Sequence, residues 1–95
     1  MEMKTDAIKV SRFRSTDYHG NTPAAKREIY RGLVSEYVMQ TRELITTAKA
    51  ERDLYRASHI LAQAAYAMRQ AARVQWELDH MDNTTNDKTK GDQTE

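Results

Sequence analysis

From Thr22-Pro23 to Met81, apolar residues recur at the three- and four-residue spacing of an α-helix, and this constrains the chain more than any other feature. Threonine can cap a helix with its hydroxyl, and proline at the first helical position gives up only an amide that would be unpaired anyway. Glu28 follows in the early helix, where the helix dipole favours an acid. One stripe runs through Ile29, Leu33 and Tyr37, with Tyr30, Val34 and Val38 one position along. It continues through Thr41, Leu44, Ile45 and Ala48. Gly32 is its weak point, costing about 1 kcal/mol relative to alanine.

The pattern breaks at Glu51-Arg52-Asp53 and resumes as Leu54, Ala57, Leu61, Ala64/Ala65, Met68, Ala71/Ala72, Gln75 and Leu78. Asp53 suits an N-cap, because its short carboxylate can accept the free amides of the next turn. Alanine dominates 57–72, which raises helix propensity and lets a neighbouring helix come close. Large residues on the first helix facing small ones on the second suit an antiparallel pairing. The expectation is therefore an all-α antiparallel helical hairpin of about 23–51 and 54–81. The alternative is one long helix pairing with a second chain, which the lack of strict heptads disfavours.

The flanks read differently. Residues 1–22 scatter Ile8, Val10, Phe13 and Tyr18 among charges and read as a flexible arm with one anchoring aromatic; a short strand over Ile8–Phe13 is the weaker alternative. From Asp82 to Glu95 no residue is apolar, so that segment reads as a disordered polar tail. A chain of 95 residues buries little surface, and without cysteine it has no disulfide to staple it. Stability must come from tight packing or from association, and a homodimer or other protein partner is expected. The absence of a long apolar run or signal-peptide core points to a cytoplasmic protein that is not a membrane protein.

Chemistry is sparse. Ser11, Ser15, Ser35 and Ser58 lack the glycine-flanked context of a nucleophile elbow, and His19, His59 and His80 stand far apart. No metal-ligand spacing and no glycine-rich phosphate loop occurs, so no catalytic, metal or cofactor site is assigned. The net charge of +1 is close to neutral for a nucleic-acid binder. Residues 23–81 hold nine Lys/Arg against seven Asp/Glu, so the middle of the chain is only mildly basic. Arg52, Arg56, Arg69 and Arg73, read as lying on the second helix in two pairs four apart, could still form a ridge against phosphates. The competing reading is a solvated helix face. Tyr55, Leu61, Ala64, Met68 and Trp76 form the candidate partner-binding set, with the single tryptophan as a large amphipathic anchor or as a core cap.

Residues 48–76, AKAERDLYRASHILAQAAYAMRQAARVQW, resemble the ANR family, small bacterial negative regulators of AraC-type virulence activators. Ala50-Glu51 is similar to the family's alanine–glutamate pair, Leu54-Tyr55 to its turn exit, Ala57 and Ala64 to its spaced alanines, and Trp76 to its closing tryptophan. Leu61 stands where the family has a mid-helix tryptophan, and Arg73 where it often has asparagine. Leu54-Tyr55-Arg56-Ala57 is also similar to an element of the PerC-like regulators. The ANR resemblance implies a module that binds an AraC-type activator and blocks its dimerisation or DNA contact. The PerC resemblance implies direct DNA binding through the four arginines. A helical accessory protein, such as a secretion chaperone or phage-encoded inhibitor, is the third reading.

Overall fold

The computed structural model describes the backbone of residues 9–94 and the side chains of residues 9–81. Residues 1–8 of the arm, including one end of the alternative strand, lie outside the described residues. The fold is two helices, α1 over Pro23–Ala50 and α2 over Leu54–Thr94, packed as a hairpin; the described residues contain no strand.

Each boundary follows from its residues. The Thr22 hydroxyl accepts the Ala25 amide at 3.2 Å and Pro23 occupies the first turn, as the capping pattern predicts. Glu51 leaves the helix with extended backbone angles. Its carboxylate accepts the Asp53 amide at 3.0 Å and faces the Arg56 guanidinium at 3.5 Å. Asp53 then caps α2, its carboxylate accepting the Tyr55 amide at 3.0 Å. Three polar residues therefore satisfy both helix ends without a glycine.

Beyond Met81 the backbone keeps its helical path to Thr94 rather than leaving it at Asp82, where the sequence led us to expect disorder. The segment holds no proline, and its one glycine, Gly91, comes late. The side chains from Asp82 onward lie outside the described residues.

The core lies along the seam of the hairpin in two clusters. Leu44 and Ala48 of α1 meet Ile60 and Ala64 of α2 near the connection. Tyr30 and Tyr37 meet Ala71, Val74 and Leu78 toward the open end. Early α1 thus lies against late α2, the antiparallel arrangement that places tyrosines against alanines. The buried stripe of α2 is Ile60, Ala64, Ala67, Gln70, Ala71, Val74 and Leu78. It shares Ala64, Ala71 and Leu78 with the predicted stripe, but Leu54, Leu61 and Met68 are exposed. The bulky branched residues Ile60 and Val74 turn the helix so that they are the ones buried.

The arm also differs from its prediction. Residues 9–22 are not a flexible tether but a strap across the hairpin, with a short 3-10 turn at Ser15–Tyr18. Phe13 is buried, its ring 5.3 Å from Tyr30 in an edge-on arrangement, and Tyr18 meets Tyr30 the same way at 5.5 Å. The Phe13 amide donates to Gln70 Oε1 at 2.9 Å, and the Tyr37 hydroxyl donates to the Ser11 carbonyl at 2.8 Å. Gln70 is a polar residue in an apolar stripe because it holds the strap in place.

Candidate protein-docking surface

The five residues proposed to bind a partner are separated by the hairpin. Ala64 is 4% exposed and belongs to the core with Leu44, Ala48 and Ile60, so it is removed from the set. Its small size serves close approach of the two helices rather than recognition. Leu61 and Met68 are 49% and 46% exposed. At about 100° per residue they lie within roughly 20° of each other, and roughly 100° round α2 from the middle of its buried stripe. Leu54 falls on the same line in the first turn of α2, where α1 has ended, and is exposed.

Trp76 is half exposed on the outer edge of α2, so it is not a core cap. Its indole stacks on the His80 ring with centroids 3.5 Å apart, and His80 Nδ1 lies 2.8 Å from the Trp76 carbonyl oxygen. With Phe13, Ser15, Arg73 and Glu77 it lines a small hollow of about 190 Å³ where the strap ends. Tyr55 is 88% exposed at the opposite end of α2 and points away from Leu61. The structure therefore brings Leu61 and Met68 onto one line, sets Trp76 apart beside the end of the strap, and leaves Tyr55 at the opposite end of α2.

The four arginines are equally dispersed. Arg52 sits in the connection rather than on α2, and Arg56 turns back to Glu51. Thirteen residues separate Arg56 from Arg69, roughly 20 Å along the helix and more than a quarter-turn round it. All four are exposed, but they form two unrelated pairs and no single ridge. The structure does not assemble the predicted phosphate-contacting face.

Residues of α1 complete the surface around Leu61 and Met68. Two right-handed helices running antiparallel present the Val34–Val38–Ile45 side of α1 and the Leu61–Met68 side of α2 in the same direction. Val34 and Val38 are partly buried against the core, Ile45 is exposed, and Ala65 and Ala72 are exposed between the α2 anchors. Ile45, Ala65 and Ala72 were all visible in the sequence stripes but not separated there from the residues that are buried. The signal for a second face was the seven-residue repeat Leu54, Leu61, Met68 with Ser58, Ala65, Ala72 between, displaced from the repeat that is buried.

Among the described residues, the buried Tyr30 hydroxyl and Gln40 Oε1 have no hydrogen-bond partner. Burial raises the Tyr30 pKa above its ordinary value of 10.0, and the nearby Glu77 carboxylate and Tyr18 push the same way. The ring is packed edge-on against Phe13 and Tyr18. Among the described residues no group of three or more metal-ligating side chains occurs, and no helix is long and apolar enough to cross a membrane. No protein-family model matches the chain, and no curated protein or solved structure is similar enough to match it. What the fold defines is an all-α helical hairpin with a strapped side and an open side.

Proposed function

We propose that the chain is a small regulatory module that works by docking onto another protein, and that its target is a transcriptional activator of the AraC type. The observation that carries the docking reading is the open face. Ile45, Leu61 and Met68 are aligned on one side of a well-packed hairpin and remain about half exposed, although the opposite side is strapped. A contiguous apolar patch on a rigid helical pair favours a protein partner, with a helix laid into the shallow groove as the simplest fit. The choice of target rests on the likeness of residues 48–76 to the ANR frame. Trp76 in that frame is an exposed aromatic on α2, about 12 Å along the helix from Met68, and a large exposed ring suits recognition.

Direct duplex binding is the weaker reading, because Arg52, Arg56, Arg69 and Arg73 are not aligned. The deciding experiment is affinity capture of a purified AraC-type activator by the full chain at micromolar concentration. Capture is expected to be lost in Leu61→Asp and Trp76→Ala, both of which should retain wild-type helicity. Failure of the folded wild-type chain to capture the activator would remove this target.

A further inference from the structure

The hairpin sorts its charges to match its two sides. On α1, Glu36 and Glu43 line the shallow groove into which Lys9 of the strap reaches, together with Gly32, Ser35, Met39 and Gln40. The strap is basic where it crosses, with Lys9, Arg12 and Arg14 against a single acid, Asp17. It holds its place with the apolar residues Val10, Phe13 and Tyr18. An apolar-anchored basic segment therefore covers the acidic side of the hairpin.

The open side has the opposite sign. Arg31, Arg42 and Lys49 lie on the α1 flank beyond Val34, Val38 and Ile45; all three are exposed, and none makes an ion pair among the described residues. On α2 the face from Leu54 to Ala72 carries no acid, and Arg69 stands at its outer margin. The result is an apolar strip, roughly 17 Å long from Leu61 to Ala72 at 1.5 Å per residue, bordered by Arg31, Arg42 and Lys49 on α1 and by Arg69 on α2, with the Gln75–Asp79 hydrogen-bonded pair beyond its end.

We propose that this face seats an acidic amphipathic helix of a partner protein, its apolar stripe on Ile45, Leu61, Ala65 and Met68 and its carboxylates toward Arg31, Arg42 and Lys49. This deepens the docking reading above and rests on it. The heptad spacing of Leu61 and Met68 with Ala65 and Ala72 matches a helical occupant, since alternating large and small residues form holes for a partner's side chains. A second copy of this chain fits less well, because a two-fold contact through this face would bring like-charged margins together.

The test is fluorescence anisotropy of the full chain with two labelled 21-residue helical peptides. Both carry leucines at heptad positions, one flanked by glutamates and the other by lysines. The glutamate peptide should bind, more weakly as salt is raised, and the lysine peptide should not. Leu61→Glu, Met68→Glu and the pair Arg42→Glu/Lys49→Glu should each weaken binding about tenfold or more. Glu36→Gln, on the strapped side, should leave it unchanged, and circular dichroism should show wild-type helicity in every variant.

Equal binding of both peptides, or of neither, overturns the proposal. So does sedimentation showing a dimer that Met68→Glu dissociates, since the occupant is then a second copy. A gain in affinity on deleting residues 1–8 does so too, since the chain's own N-terminus is then the occupant. Peptide binding without capture of an AraC-type activator supports this face and removes the transcriptional target. Activator capture that survives Leu61→Glu and Met68→Glu overturns this face and leaves the target standing.

Discussion

The two broad sides of the hairpin carry similar apolar residues, but only one side is finished. On the strapped side, Phe13 and Tyr18 close over Tyr30, and Gln70 and Tyr37 hold the strap's backbone with two long-range hydrogen bonds. On the open side, Leu61 and Met68 have similar bulk and regular spacing but remain about half exposed. The difference teaches that apolar periodicity alone does not identify a core. A stripe becomes core when another segment is positioned to cover it, and otherwise remains available for association.

Substitutions should separate the sides by stability. Phe13→Ala should have the largest effect, lowering the unfolding free energy by about 3–5 kcal/mol, because it opens a cavity under the aromatic cluster. Urea denaturation checks it, and a loss below about 1 kcal/mol would mean that the strap is not part of the folded unit. Gln70→Leu should cost about 1–3 kcal/mol by the same measurement, since it strands the Phe13 amide in a buried place. A neutral result would transfer the strap's anchorage to its apolar contacts alone.

Tyr30→Phe should act in the opposite direction. It removes a buried hydroxyl with no partner, and a gain of about 1 kcal/mol is expected. Its pH dependence sharpens the point. Because the folded-state pKa of Tyr30 is raised, the unfolded chain releases this proton first as pH climbs past 10.0, so wild-type stability falls there. The gap between Tyr30→Phe and wild type should therefore widen above that pH and stay flat below it. Leu61→Gln and Met68→Gln should have the smallest effect on folding, within about 0.5 kcal/mol each, as expected for half-exposed residues.

The hairpin itself was legible because its signals are local. The Thr22-Pro23 start and the Glu51–Asp53 break each satisfy their own helix ends within a few residues. The rotation of α2 was not legible, because two stripes share Ala64, Ala71 and Leu78. The deciding residues, Ile60 and Val74, stand in the stripe that the alanine pattern obscured. Docking of the strap was hidden for a different reason: the amide of Phe13 finds its acceptor fifty-seven positions away, at Gln70. Of the candidate site, Leu61, Met68 and Trp76 could be found as large apolar residues on a helix. Their neighbours on α1 needed the antiparallel geometry to be placed beside them.

The most direct test of the open face as a docking surface is an ¹H–¹⁵N correlation titration of the full chain with the glutamate-flanked peptide. The account predicts that amide shifts concentrate at 34–45 of α1 and 61–72 of α2 and spare the strap around Val10 and Phe13. Shifts centred on the strap, or no shifts at saturating peptide, would contradict it.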